Sequence, residues 1–242
     1  MTNSEEYLSG TDTLEVISDA DKFNRWMYQT INPFCSGNVL EIGSGIGNIS
    51  QYFLDDNFEI SLSDLSTDYF KILENKFSGY KNLKEVFTLD FAEKELELKY
   101  PHLIGQFDTV FALNVLEHVP DHEQSIKNCH KLLKPGGNLI ILVPAFQSLF
   151  NQFDVALEHQ RRYTRKSLKK VMDIPGFSII YTQYFNVIGI LGWFVSGKLM
   201  GKNAIPGGQM KLYNQLVPVW KVVDWFLNPL LGLSVICVAK KN

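Results

Sequence analysis

Side chains that can exchange a proton or carry a charge concentrate in two short segments of the sequence. The pair Glu117-His118 forms the first segment, and a longer run forms the second: Asp154, Glu158, His159, Arg161, Arg162 and Tyr163. A histidine can act as a general base near neutral pH, and adjacent arginines can hold a phosphate or carboxylate through paired hydrogen bonds. We therefore predict catalytic roles for His159, His118 and Glu117, and substrate contacts from Arg161, Arg162 and Tyr163. The alternatives are a loop-fixing role for the first segment and a solvated charge run ahead of a helix for the second.

A glycine-rich turn follows a short apolar run. Val39-Leu40-Glu41-Ile42 is predicted to be a buried strand, and Gly43-Ser44-Gly45-Ile46-Gly47 comes directly after it. Glycines are needed where the chain turns tightly from a strand into a helix and a ligand approaches the backbone. Asp64 ends the next predicted strand nineteen residues after Gly45, where a carboxylate can bind ribose hydroxyls. The pattern indicates a nucleotide-type cofactor site; the alternatives are a plain tight turn and, for Asp64, the N-cap of the following helix.

Short aliphatic runs alternate with helical patterns, which is typical of an α/β protein with a mostly parallel sheet. We predict seven strands, at Asn38–Ile42, Phe58–Ser63, Leu83–Leu89, Phe107–Leu113, Asn138–Val143, Phe177–Tyr184 and Ser234–Ala239. We predict helices at Asp19–Asn32, Ile46–Leu54, Asp68–Phe77, Asp121–Leu133 and Arg165–Met172, with a turn at Pro135-Gly136-Gly137. The expected fold is a Rossmann-like, doubly wound sheet in a single domain spanning residues 1–242.

Two stretches interrupt this alternation, at residues 144–164 and 185–232, and we expect both to lie on the substrate side. The second is unusually apolar, but once the sixth strand is assigned its uncharged part is shorter than the ~20 residues of a membrane-spanning helix. We predict an amphipathic element near residues 217–227 and a hinge or lid tip at residues 201–208. This insertion could be a cap on the sheet, a hydrophobic acceptor pocket, or a surface that rests on a membrane.

Charge and cysteine content narrow the function classes. The chain has 23 basic and 26 acidic residues, and this net charge of -3 argues against a protein that binds nucleic acid by neutralising phosphates. Cys35, Cys129 and Cys237 are odd in number and widely separated, so we expect buried thiols in a reducing compartment. The first ten residues lack a secretory pattern, and we expect a cytoplasmic location that allows peripheral membrane contact.

Six motifs occur in the order in which one known family shows them. They are Glu41-Ile42-Gly43-Ser44-Gly45-Ile46-Gly47, Asp64, Leu89-Asp90-Phe91, Phe107-Asp108-Thr109-Val110, Asn114-Val115-Leu116-Glu117-His118-Val119 and Leu132-Leu133-Lys134-Pro135-Gly136-Gly137. With these motifs, the segment from about Val39 to Val143 resembles the class I S-adenosylmethionine-dependent methyltransferases, particularly the group with the ubiquinone and menaquinone biosynthesis enzymes. The resemblance implies S-adenosylmethionine as cofactor and an antiparallel last strand.

The resemblance also implies where the cofactor binds. The methionine portion of the cofactor would border residues 41–47, and its ribose would bind Asp64. Its adenine would bind Asp90 and Phe91, and its sulfonium end would lie near Asn114. The full predicted set is Glu41, Gly43, Ser44, Gly45, Gly47, Asp64, Leu65, Asp90, Phe91 and Asn114. Ubiquinone-pathway O-methyltransferases carry a similar Glu-x-x-Glu-His stretch that can bind a divalent metal. Asn114 replaces the first carboxylate here, so we expect no metal.

The predicted function is methyl transfer to an oxygen or nitrogen atom, in preference to carbon, of a small or lipid-linked acceptor. Because the sulfonium is already an activated methyl donor, the protein mainly has to orient the nucleophile. We expect the acceptor between residues 114–118, residues 146–163, the N-terminal helix near Phe23–Tyr28 and the apolar insertion. The alternatives are a non-catalytic cofactor-binding partner in a glycan or lipid pathway, and a nicotinamide oxidoreductase. The oxidoreductase is disfavoured because the third glycine is Gly47, one residue early for that motif.

Overall fold

A seven-stranded β-sheet organises the chain. The computed structural model describes residues 10–199 and 207–242. Within these ranges the strands are β1 (Asn38–Ile42), β2 (Glu59–Asp64), β3 (Leu83–Thr88), β4 (Phe107–Leu113), β5 (Leu133–Pro144), β6 (Phe177–Phe185) and β7 (Ser234–Lys241). Their order is β3-β2-β1-β4-β5-β7-β6; the first five pair in parallel, and β7 runs antiparallel to β5 and β6. The predicted Rossmann-like α/β fold with an antiparallel last strand is confirmed.

Helices connect the strands and cover both faces of the sheet. Those in the described ranges are α1 (Gly10–Ser18), α2 (Asp21–Ile31), α3 (Ser50–Asp55), α4 (Thr67–Phe77), α5 (Leu96–Lys99), α6 (His122–Leu132), α7 (Gln152–Ala156), α8 (Arg165–Met172), α9 (Gly189–Trp193), α10 (Gly207–Gln215) and α11 (Val217–Leu227). The five predicted helices correspond to α2, α3, α4, α6 and α8, and the predicted amphipathic element is α11. The hinge predicted at residues 201–208 lies outside the described residues except for its last two, which begin α10.

The turn predicted at residues 135–137 is wrong, because β5 begins directly after α6. Leu133 pairs with Phe107, and the register then shifts before Asn138 pairs with Thr109. Gly136 has a φ angle of 81°, which a glycine adopts without steric cost. The strand therefore absorbs the extra residues as an irregularity instead of breaking.

Side chains of the strands alternate between two apolar layers. On β1, Leu40 and Ile42 face a layer that includes Ile126 of α6, whereas Val39 faces a layer that includes Phe53 of α3. The same alternation extends to β7. Because helices cover both faces, the central strands are apolar along almost their whole length, as in parallel sheets generally.

The carboxyl ends of the central parallel strands meet at one edge of the sheet, where ligands bind in folds of this kind. Both predicted insertions return to this edge: residues 145–164 follow β5, and α9 to α11 connect β6 with β7. None of the described helices combines the length and the apolar character that crossing a membrane requires. The cysteines are free thiols, with Cys129 and Cys237 buried and Cys35 partly exposed.

Candidate active site

The turn after β1 is the first wall of the site. Gly43, Gly45 and Gly47 have φ angles of 73°, 54° and 78°. A Cβ atom at Gly43 would lie 2.4 Å from a methyl group of Val115, and one at Gly47 would lie 2.4 Å from the ring of Phe77. These left-handed residues are also why α3 begins four residues later than predicted, at Ser50. Glycine is therefore required at these positions by backbone conformation and by packing, and Gly43 and Gly45, but not Gly47, line the cavity.

Asp64 at the end of β2 ties this turn in place. One carboxylate oxygen accepts a hydrogen bond from the Gly45 N–H at 2.9 Å, and the other accepts from the Ser66 N–H at 3.0 Å. The N-cap of α4 is Ser66, whose hydroxyl accepts from the Asp68 N–H. Ser66, and not Asp64, therefore caps α4, and Asp64 lines the cavity.

The other predicted cofactor residues lie around the same cavity. Glu41 is buried, accepts a hydrogen bond from the Ser50 hydroxyl, and has its pKa raised to about 8 by burial. Asp90 accepts a hydrogen bond from the Ala92 N–H at 2.9 Å. Asn114 has a φ angle of 55° and donates its N–H to Leu142 at 2.8 Å. Nine of the ten predicted cofactor residues line the cavity: Glu41, Gly43, Ser44, Gly45, Asp64, Leu65, Asp90, Phe91 and Asn114.

The cavity has a volume of about 730 Å³, within the range of small-molecule sites. It extends from the glycine turn beneath α1 and α2 to the two insertions. Its far wall contains Phe153 and His159 of the first insertion and Trp193 and Tyr213 of the second. The lining residues Asn114, Val115 and His118 come from the loop after β4, and Phe23, Asn24 and Met27 come from α2. The four regions predicted to surround the acceptor thus contribute to a single space.

A buried ion-pair network forms the far end of the cavity. Asp154 accepts hydrogen bonds from His159 Nδ1 at 2.8 Å, Arg162 Nε at 2.7 Å and the Asn151 N–H at 2.9 Å. Burial alone would raise the pKa of Asp154, but the hydrogen bonds from His159 and Arg162 hold it below its ordinary value. An ionised Asp154 fixes the proton of His159 on Nδ1 and leaves Nε2 as an acceptor.

Glu117 and His118 lie against this network. His159 Nε2 is 3.8 Å from Glu117 Oε1, and the rings of His118 and His159 are 4.7 Å apart. Neither carboxylate oxygen of Glu117 has a hydrogen-bond partner among the described residues. Burial raises the pKa of Glu117 to about 8, and burial, together with the neighbouring His159, lowers the pKa of His118 to about 4. Near neutral pH the cluster therefore holds a protonated carboxyl and an uncharged imidazole.

Comparisons with known proteins find methyltransferases among the relatives of this chain. A family model described as a methyltransferase domain matches residues 40–139. The chain is 30% identical over 118 residues to lovastatin nonaketide synthase mokA of Monascus pilosus, covering 47% of this chain and 4% of that protein. It is 26% identical over 114 residues to the ubiquinone biosynthesis O-methyltransferase of Erwinia tasmaniensis, covering 47% of this chain and 45% of that protein. A solved structure of a methyltransferase from Archaeoglobus fulgidus matches with a TM-score of 0.58 at 18% identity, covering 90% of this chain and 94% of that one.

The family-model match covers residues 40–139, and together with these relatives it supports a class I S-adenosylmethionine-dependent methyltransferase. S-adenosylmethionine is the cofactor of that family. The match at 18% identity establishes the fold, and the chain spans less than half the length of the two curated relatives. The resemblance drawn from the sequence motifs is confirmed.

In this methyltransferase the Arg-Arg-Tyr run divides between two sides. Arg162 lines the cavity, donates to the Ala145 carbonyl at 3.0 Å, and lies 4.7 Å from the ring centre of Trp193. Arg161 instead donates to the Val119 carbonyl at 3.0 Å, and the Tyr163 hydroxyl lies 2.8 Å from His122 Nδ1. Neither Arg161 nor Tyr163 lines the cavity. Successive side chains of an extended segment point in opposite directions, so only the middle residue of the run reaches the site.

The methyltransferase also brings together a set of metal-ligating atoms. Ligand atoms of Glu117, His118 and His159 all lie within 4.8 Å of one another. The expectation of no metal depended on Asn114 replacing a carboxylate, whereas the structure supplies His159 as a different third donor. Two imidazoles and a carboxylate suit a first-row transition metal better than magnesium.

Sequence reasoning missed several residues of this wall. Asp154 is part of the predicted charge run, but nothing in the sequence distinguishes it as the partner of His159. Trp193 and Tyr213 belong to the apolar insertion, where they are indistinguishable by pattern from core residues. A signal for Asp154 was available: Asn151 caps α7 and is followed three residues later by an acidic side chain, which is a capping box that orders the loop.

Proposed function

We propose that this protein transfers a methyl group from S-adenosylmethionine to an oxygen or nitrogen atom, in preference to carbon, of a small or lipid-linked acceptor. The observation that carries the proposal is a single cavity with a glycine turn and strand-end carboxylates at one end and a buried acid-base cluster at the other. The hydroxyl of an alcohol or phenol has to lose a proton when its oxygen atom takes a methyl group, and such a cluster can accept that proton.

The residues at the strand ends fit the cofactor. The glycine turn offers bare backbone, and each oxygen of Asp64 accepts only one N–H, which leaves lone pairs for the two ribose hydroxyls. Leu65 is 70% exposed at the rim of the cavity, where an adenine ring can cover it. Bound there, S-adenosylmethionine supplies an activated methyl group, and the protein orients the acceptor and excludes water.

His159 is the base in this proposal. Asp154 accepts a hydrogen bond from the Nδ1–H of His159. The Nε2 atom of His159, which faces Glu117 and the cavity, therefore has a free lone pair. The proton of the acceptor hydroxyl or amine would pass to Nε2 as the acceptor atom bonds to the methyl carbon, and the bond between that carbon and the sulfur would break with its electron pair going to the sulfur. Glu117 is fully buried and does not line the cavity; its protonated carboxyl lies 3.8 Å from His159 Nε2 and helps to position that ring. Arg162 acts through Asp154 and is a positioning residue.

A divalent cation is the rival occupant of the same cluster, favoured by the short distances among Glu117, His118 and His159. In that case His159 Nε2 would be a ligand and could not accept the proton. Metal analysis of the purified protein, and methyl transfer with and without a chelator, decide between the two. Stoichiometric metal together with loss of activity on chelation would overturn the base assignment.

The proposal is tested by titrating the protein with S-adenosylmethionine, its demethylated product and a nicotinamide dinucleotide in calorimetry. We expect both adenosyl compounds to bind and the dinucleotide not to bind. Formation of demethylated product is then measured with lipid extracts, phenols, alcohols and amines as acceptors. Binding without turnover on any acceptor would favour the non-catalytic partner module, and preference for the dinucleotide would favour the oxidoreductase.

A further inference from the structure

Helix α11 and the turn after it expose a continuous apolar face. We call it the α11 face, and it consists of Val219, Val222, Trp225, Phe226, Leu230 and Leu231. Trp225 and Leu230 are each 71% exposed, and Phe226 is 65% exposed. The helix turns Val217 and Asp224 inward instead. Apolar patches of this extent on soluble proteins usually mark a surface that another body covers.

The solvent-facing ionisable side chains of α10, α11 and the turn after them have one sign. Between residues 207 and 231, all of which the structure describes, the ionisable side chains of Asp, Glu, Lys and Arg are Lys211, Lys221 and Asp224. Asp224 is buried and accepts a hydrogen bond from the Val187 N–H at 2.7 Å, so no carboxylate of this stretch faces solvent. The chain as a whole carries more acidic than basic residues. Lys211 and Lys221 are therefore the charges that this stretch itself supplies beside the face, and their sign complements an anionic surface.

The neighbouring helix continues the apolar surface to the cavity. Gly189, Gly192 and Trp193 of α9 line the cavity, while Leu191 of the same helix is 63% exposed and Val195 just beyond it is 44% exposed. Helix α9 therefore has one side on the cavity and an apolar side in solvent, and the Val187 N–H just before it donates to Asp224 of α11. A ligand with a long apolar part could lie against both.

We propose that the α11 face binds the surface of an anionic lipid bilayer, placing the acceptor end of the cavity beside the membrane. Aromatic side chains bordered by lysines are the pattern of helices that lie in the interfacial plane. A second copy of this chain fits less well, because a two-fold contact would bring two faces that carry the same lysines together, whereas an anionic bilayer has the opposite charge. The proposal deepens the proposed function, and rests on it, by assigning a membrane-embedded acceptor.

The test is co-sedimentation of the full chain with vesicles of phosphatidylcholine alone or mixed with phosphatidylglycerol. We expect binding to the mixed vesicles that weakens with added salt. Replacing both aromatics, Trp225→Ser with Phe226→Ser, should lower partitioning about tenfold or more, because each large side chain loses its burial in lipid. Lys211→Glu with Lys221→Glu should lower binding to the mixed vesicles only. Leu98→Ser, at a 78% exposed leucine of α5 outside the α11 face, is the matched control and should bind like the wild type.

Calorimetry of S-adenosylmethionine binding is run on the same variants, and we expect unchanged affinity. Vesicle binding that is absent, or equal in the aromatic variant and the control, would overturn the membrane assignment while leaving cofactor binding intact. A dimer in light scattering that the aromatic variant abolishes, without vesicle binding, would assign the face to a second copy instead. Failure to bind S-adenosylmethionine at all would count against the proposed function and not against the membrane assignment.

Discussion

At the cofactor end of the cavity the wall is mostly backbone, whereas at the acceptor end it is mostly side chain. The glycine turn and Asp64 are fixed by hydrogen bonds between adjacent strands, such as those from Gly43 and Ser44 to the Ser63 carbonyl. His159 is held by Asp154, which is held in turn by Arg162, and both partners come from an insertion with little regular structure. The backbone at the cofactor end fits a ligand of one shape. The side chains at the acceptor end can change the chemistry of the site through few substitutions. The comparison predicts that variants at the two ends fail in different ways.

The largest effect should come from the cofactor end, with Asp64→Ala. We expect affinity for S-adenosylmethionine to fall about 10²–10⁴-fold, because two hydrogen bonds to a charged group are lost. Calorimetry measures this, and Asp68→Ala serves as control because Asp68 is exposed and pairs only with Lys71. Unchanged affinity in Asp64→Ala would show that the ribose binds elsewhere.

At the acceptor end, His159→Ala should have the opposite signature. We expect cofactor affinity to stay near the wild-type value while the turnover rate falls about 10²–10⁴-fold, the range for losing a general base. The measurement is formation of demethylated product on an acceptor found by the screen. His102→Ala, at an exposed histidine outside the cavity, is the control. Full turnover without His159 would return it to the structural role that the sequence left open.

The same contrast explains how far the sequence could be read. Gly43, Gly47 and Asp64 are predictable because a tight turn and a strand end constrain residue type locally, within a few positions. The strands are predictable because buried parallel strands need apolar residues throughout. Arg162 and its neighbour Arg161 look equivalent in the sequence, and only the extended backbone, paired at Ala145 with Tyr163, separates their roles. Contacts between distant segments leave no such local mark.

Breaking the network that holds the acceptor end should reduce stability as well as turnover. Asp154→Ala leaves Arg162 buried without its partner, and we expect the free energy of unfolding to fall by about 3–5 kcal/mol. Denaturant unfolding measures it. Asp154→Asn keeps an acceptor for one donor and should lose less. Equal stability of Asp154→Ala and the wild type would mean that the ion pair is not formed in solution.

The smallest expected effect concerns Glu117 and appears only as a function of pH. Burial raises the pKa of this carboxyl to about 8, so the folded protein keeps its proton where the unfolded chain has lost it. Its contribution to stability is therefore complete below the ordinary carboxyl pKa of 4.5 and disappears as pH rises through about 8. Glu117→Gln removes the titration with little change of shape. The stability of this variant relative to the wild type should increase by roughly 3 kcal/mol from about pH 5 to about pH 8.

Unfolding curves of both proteins across that pH range measure the difference. Glu41 also has its pKa raised to about 8 by burial, but it is present in both proteins and cancels. A difference that stays constant with pH would mean that Glu117 is ionised when folded. An ionised carboxylate with no protein hydrogen-bond partner would need a cation beside it, which would favour metal over a proton in this cluster. The same curves with a chelator present would then show whether a bound metal supplies that charge.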